Sequence, residues 1–150
     1  MADFQTQIED LTGSIGDTGA ITQWLTDGAK EIINILPDDL KRKCETTTLF
    51  DASTTSLDLD GRGEITKVTR EDANTGYYRP CREVAPEIAD LSNDVNSLYY
   101  ATVLSPVYWI ESKSDNTATL FVKPTTDANQ NAKVYHISYP AVAFDDGASG

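Results

Sequence analysis

The side chain best suited to acid–base chemistry in this 150-residue chain is its one histidine, His136, set in the alternating run VYHISY. A histidine base needs an orienting partner and a nucleophile, and both would have to come from elsewhere in the fold. A strand histidine beside tyrosines is more often packed or half-exposed, and His136 is read that way. The stretch Asp58-Leu-Asp60-Gly61-Arg62-Gly63-Glu64 carries acids at alternate positions and a glycine, as calcium loops do. A loop starting at Asp58 places Arg62 fifth and Thr69 twelfth, and one starting at Ser56 places Lys67 twelfth, where a bidentate Glu is needed. Both registers fail. The segment reads as a turn between Leu59 and Ile65 with its carboxylates in solvent, and no calcium binding is expected of it.

The remaining candidates are weaker. Cys44 and Cys81 form no close pair and no metal-type spacing, which fits a reduced, intracellular or virion-internal setting. The pair Gly61 and Gly63 is too little for a phosphate loop or a dinucleotide fingerprint. Glycosidase-type carboxylate pairs among the 24 acids are identified by geometry alone. Lys41, Arg42 and Lys43 suit the negative end of a short helix better than a phosphate site. The sequence therefore nominates no catalytic, cofactor-binding or metal-ligating residue, and the expectation is a protein that is not an enzyme. Tyr77, Tyr78, Tyr99, Tyr100, Tyr108 and Trp109 are the interface candidates, as an aromatic platform or as core and contact residues of a sheet.

Charge narrows the partners. With 24 acidic and 12 basic residues the formal charge is −12, which repels phosphate backbones and anionic lipid at long range and also keeps a protein soluble. The N-terminus MADFQTQIED is acidic where a secretory signal is basic, and the most apolar run, 32–36, is far too short to span a bilayer. No membrane association is expected.

The elements that would position these residues divide near residue 44. Phe4, Ile8 and Leu11 make one stripe on a short helix that Gly13 would end. After the link GSIGDTG, Asp17 or Thr18 would cap a second helix, whose apolar positions Ile21, Trp24, Leu25, Ala29, Ile32 and Leu36 recur at three- and four-residue steps. We take Ile21, Trp24, Leu25, Ile32 and Leu36 as its core face, so that Trp24→Ala would cost about 3 kcal/mol or more. Pro37, Asp38 and Asp39 open a third short helix running through Lys43. Segment 46–56 is rich in Thr, Ser and Asp, as an irregular or edge segment would be.

From Ile65 onward the pattern is β-like, with a short strand around Val68 and then the loop EDANTG. Runs at 98–104, 107–111, 118–123 and 133–139 read as strands, and Ala118, Leu120 and Val122 alternate with Thr119, Phe121 and Lys123. The polar turn SKSDN and the loop PTTDANQNA join the last three runs. The expected fold is α+β: N-terminal amphipathic helices packed on a C-terminal antiparallel β-meander or small sandwich. Residues 1–150 are read as a single domain, helical over 1–44 and mainly β over 45–142, with a flexible tail at 143–150.

The string ITQWLTDGAKEIINILP, residues 21–37, resembles a recurring opening of the head-to-tail connector (adaptor or neck) proteins of tailed bacteriophages. Trp24, Leu25, Asp27, Gly28, Glu31 and Ile32 occupy the pattern W-L-x-D-G-x-x-E-I, followed by Pro37. YWIES, TLFVKPT and AKVYHISYP, within 108–140, are similar to the hairpin that precedes a terminal helical segment in such proteins, whereas this chain stops at AFDDGASG. The resemblance implies a virion structural protein assembled in the host cytoplasm. It implies a ring homo-oligomer between portal and tail proteins, with DNA passing non-specifically through the lumen and no cofactor. The alternative reading is a tail, baseplate or fibre module that recognises a carbohydrate or a partner protein.

Overall fold

In a computed structural model, residues 4–50, 56–72, 76–112, 117–126 and 130–142 are described. The tail expected at 143–150 and portions of the three expected loops lie outside them. The fold is α+β, and the chain divides into two compact units: Met1–Cys44 with Tyr139–Gly150, and Glu45–Ser138.

The first unit is built on helices. Helix α1 (Phe4–Thr12) ends where Gly13 takes a positive φ of 84° and returns its N–H to the Glu9 carbonyl at 2.8 Å. Helix α2 (Thr18–Ile35) starts at Asp17, whose carboxylate accepts the Ala20 N–H at 3.0 Å. It stops at Leu36, which is extended, as the residue before a proline prefers to be. Helix α3 (Asp38–Lys41) follows Pro37 and tightens into a 3₁₀ turn over Arg42–Cys44. Side-chain hydrogen bonds tie the returning chain to α2. The Thr26 hydroxyl donates to the Val142 carbonyl at 3.1 Å, and the Tyr139 hydroxyl donates to Asn34 Oδ1 at 2.8 Å.

The expected core face of α2 is corrected by this arrangement. The buried residue is Ile33, whereas Trp24 is 71 % exposed and Ile32 60 %, with Ile21, Leu25 and Leu36 half-buried. The reason is angular. At about 100° per residue Trp24 and Ile33 lie on opposite sides of the helix, so a stripe drawn through Trp24 is the wrong one. The helix is apolar over about half its circumference, and its buried residue, Ile33, lies at one edge of that arc. Trp24→Ala is accordingly expected to move the unfolding free energy by no more than about 0.5 kcal/mol, as surface changes do. A loss of about 3 kcal/mol in chemical denaturation would put Trp24 back in a core.

The second unit holds two four-stranded sheets. Strands β1 (Glu45–Phe50), β8 (Ala132–Ser138), β3 (Arg62–Glu71) and β4 (Tyr78–Pro80) form one sheet in that spatial order. Strands β2 (Ser56–Asp58), β7 (Ala118–Lys123), β6 (Val107–Ser112) and β5 (Arg82–Glu83) form the other. Every pair is antiparallel except β5–β6. This is no simple meander, since the chain changes sheet after β1, β2, β4 and β7. The change after β4 pivots on Cys81, whose N–H donates to the Val68 carbonyl while that of Arg82 donates to the carbonyl of Pro106, just before β6 of the other sheet. Segment 46–56, expected as irregular or edge structure, supplies the edge strands β1 and β2.

Phe50, Val68, Ala132 and Val134 of one sheet and Leu57, Leu120 and Val122 of the other make a single apolar cluster. Period-two alternation delivers it: Leu120 and Val122 point into this cluster, and Phe121 between them points the other way. On that other side of β6 and β7 lies a second cluster of Val84, Ala89, Ala101, Val107 and Trp109, covered by a 3₁₀ helix over Pro86–Ser92.

The run at 98–104 is not a strand. Asp94 Oδ1 accepts the Asn96 N–H at 2.9 Å, Ser97 Oγ accepts the Tyr99 N–H at 3.1 Å, and the Tyr100 N–H reaches the Ser97 carbonyl at 3.1 Å. Such local bonds offer the backbone an alternative to a ladder, and here they outweigh the β propensity of LYYATVL. Only an isolated bridge, Thr102 with Ser105, remains.

Candidate functional site

The turn-built segment 91–104 carries several exposed apolar side chains. It is held from beneath, where the Ala101 N–H donates to the Ser92 carbonyl at 3.0 Å and Ala89 and Ala101 pack in the cluster around Trp109. Leu91, Val95, Leu98 and Leu104 are exposed in it, Leu98 at 96 %, as are Tyr99 and Tyr100 in part. Scattered single hydrophobes are ordinary on a surface; here six exposed apolar or aromatic side chains fall within fourteen consecutive residues.

The six interface aromatics expected from the sequence do not form one platform. Tyr77 is exposed, and Tyr78 lies under the Lys133 ammonium, which stands 3.8 Å from its ring centroid. Tyr108 and Trp109 are neighbours on β6 and point to opposite faces of the sheet. The Tyr108 hydroxyl donates to Glu83 Oε2 at 3.0 Å, and burial, then that bond and the Glu83 charge, push it up to about 12. Of the two roles expected for it, Trp109 takes the core one. It is 6 % exposed, stacks on Phe121 with centroids 5.3 Å apart, and donates its Nε1–H to Glu111 at 2.7 Å. Trp109 and Phe121 are direct cross-strand partners, so their stacking follows from the register.

The groups singled out for chemistry are held in structural roles. His136 is buried. Its Nδ1 contacts the Ile137 carbonyl at 3.1 Å, which can only accept, so Nδ1 donates, and Nε2 is hydrogen-bonded with the Thr48 hydroxyl at 3.0 Å. This bond joins β8 to β1. At the 58–61 turn the Asp58 carboxylate accepts the Asp60 N–H at 3.0 Å, Gly61 takes φ 69°, and the Arg62 side chain reaches back to the Asp58 carbonyl. The Cys81 thiol is pushed up to about 12 by burial, against the opposing effect of Arg70 nearby, so it stays a protonated packing group. Among the described residues no group of three or more His, Cys, Asp or Glu could hold a metal ion, and no helix is long and apolar enough to cross a membrane.

Sequence reading missed the polar centre of this unit, Arg70 and Glu71. Arg70 is 2 % exposed, and its guanidinium donates to the carbonyls of Pro124, Thr125 and Glu71 and to Gln130 Oε1 at 2.7–3.1 Å. The Glu71 carboxylate accepts the N–H groups of Gly76 and Asn131 at 3.0 and 3.3 Å. Together they fasten both ends of the connection that carries the chain from β7 in one sheet to β8 in the other. The available signal was an arginine at an inward register of a strand, two residues after Val68, on the side that faces Phe50 and Ala132.

Compared with known proteins, the chain matches no family model, no curated protein and no solved structure.

Proposed function

We propose that this chain is a structural subunit of a larger assembly, a virion neck or connector protein rather than an enzyme. Identical copies form a ring between portal and tail, and DNA passes non-specifically through the lumen. The observation that carries the reading is the apolar display of segment 91–104, which the chain builds with dedicated turns and leaves uncovered. A ring closes by head-to-tail contacts, so one such surface on each copy meets a different surface on the next. The resemblance at residues 21–37 supports the same role, and an acidic subunit suits a channel from which phosphates must not be held back by adhesion.

Sedimentation of the full chain from low to high salt, with and without a portal protein, tests this. At a charge of −12 per copy the subunits repel one another, and salt shortens the screening distance to about 10 Å at 0.1 M. Monomers at low salt and larger oligomers at high salt or on a portal template are the expected result. Leu98→Asp should weaken that association at least tenfold without lowering the unfolding temperature. Tight oligomers at low salt that dissociate as salt rises would mean that attractive ion pairs dominate the contact. A monomer at every salt, with no affinity for any portal protein, sinks the connector reading. It would favour a tail, baseplate or fibre module that binds a carbohydrate or partner through the exposed Tyr77, Tyr99 and Tyr100, which glycan-array binding would register.

A further inference from the structure

We infer that α2 pairs with α2 of a second copy, antiparallel, across a two-fold axis that passes at Gly28. Ile21, Trp24, Gly28, Ile32 and Ile35 project from α2 within an arc of about 80°, on the side away from Ile33. Trp24, Ile32 and Ile35 are all exposed, Ile35 at 77 %. The face reads the same from either end. Ile21 and Ile35 stand seven residues before and after Gly28, and Trp24 and Ile32 stand four residues before and after it. An antiparallel partner of the same sequence therefore sets each Trp24 against an Ile32 and each Ile21 against an Ile35. Such self-complementarity is what a two-fold contact between identical chains requires. The spacing is close to heptad, which suits a shallow crossing near 20°.

Gly28 supplies the second observation. It lies in the middle of an 18-residue helix, where glycine is the least favoured residue after proline. Nothing lies within 4 Å of the place a Cβ would occupy, so packing within the chain does not demand a glycine there. At the centre of a helix pair the missing side chain lets the two backbones approach. With axes 8–10 Å apart and a Cα radius of about 2.3 Å, the facing Gly28 Cα atoms come within roughly 3.4–5.4 Å.

Charge and area describe the pair further. Asp27 and Glu31 flank the stripe on one side, and in an antiparallel pair that side faces its own copy, so association strengthens with salt. Acidic flanks also disfavour an anionic bilayer surface as the occupant, for which a lysine- and arginine-rich polar face would be needed. A helix of about 27 Å covers a few hundred Å² per copy, less than the roughly 800 Å² that each partner of a stable complex buries. The pair is thus weak and concentration-dependent. It does not rest on the ring: a two-fold contact closes at two copies.

Disulfide trapping in the full chain decides it. In a Cys44→Ser background, with Cys81 left in place as a protonated thiol, Gly28→Cys and Lys30→Cys are oxidised at equal, tens-of-micromolar concentration. Lys30 lies on the polar side of α2. Gly28→Cys should give disulfide-linked dimers at least ten times faster, because the expected Cα separation overlaps the roughly 4.4–6.8 Å a disulfide spans. Ile35→Cys alone should give few dimers, whereas Ile21→Cys with Ile35→Cys should give many. In sedimentation Trp24→Glu should abolish the dimer of the unlinked chain and Leu98→Asp should not. Equal rates for the Gly28 and Lys30 variants, with helical content unchanged, would overturn the pair. Fast trapping by Ile35→Cys alone would also overturn it, since that is the signature of a parallel arrangement.

Discussion

Arg70→Ala should lower the unfolding free energy by about 3 kcal/mol or more, the largest loss expected from any single change of a polar residue in this chain. The guanidinium is almost wholly buried and donates to the main-chain carbonyls of Glu71, Pro124 and Thr125 and to Gln130. Truncation leaves those acceptors without their donor and opens a cavity between β3 and the 124–130 connection. Each buried polar group left unpaired costs about 1–3 kcal/mol, and the lost packing adds to that. Arg70→Lys should recover only part of the loss, because an ammonium cannot span acceptors that the planar fork reaches together. Urea denaturation monitored through Trp109 reads the change. A midpoint for Arg70→Ala within error of the parent would show that the connection is held by other contacts.

Trp109→Ala should cost about 3–5 kcal/mol. Its indole is the largest side chain of the second cluster, stacked on Phe121 and closed over by Ala89 and Ala101. The same substitution at Trp24 is expected to be nearly silent for stability, so the two tryptophans make an internal control. They share a residue type and differ in burial, 6 % against 71 % exposed. Thermal or chemical unfolding of both variants side by side measures this. If Trp109→Ala were as mild as Trp24→Ala, the second cluster would be a loose cover and not a core. Its consequence for assembly should follow its consequence for folding, since segment 91–104 is carried on the cluster that Trp109 fills.

Local chemistry determined much of the outline. Asp17 as a cap, Gly13 as a stop and Pro37 as a break are set by backbone geometry and short-range hydrogen bonds, so they could be read from neighbouring residues. The strand at 118–123 was legible for the same reason, because period-two alternation is a property of the strand itself. The change from helices to strands near residue 44 coincides with the boundary between the two compact units. What periodicity cannot say is which of two apolar faces is used. On α2 both sides qualify, and Thr26, Asn34 and Ile33 face the chain's own Val142 and Tyr139 side while Trp24 and Ile32 do not.

The remaining features depend on contacts far apart in sequence. Arg70 is intelligible as an interior residue only once residues 54–60 positions away in the chain bring their carbonyls and an amide to it. Tyr108 and Trp109 look alike as sequence neighbours, yet the register that sets Trp109 against Phe121 sends one to the inter-sheet core and the other beneath segment 91–104. In the same way 98–104 has the composition of a strand, but Asp94 and Ser97 hold it in turns over Ala89 and Ala101. Sequence alone determined the helices with their caps and the strands at 107–111, 118–123 and 133–139, because those are decided within a few residues. Which apolar side chains are buried, and which stand in solvent, only the tertiary structure decided, because burial belongs to the surface that distant segments bring.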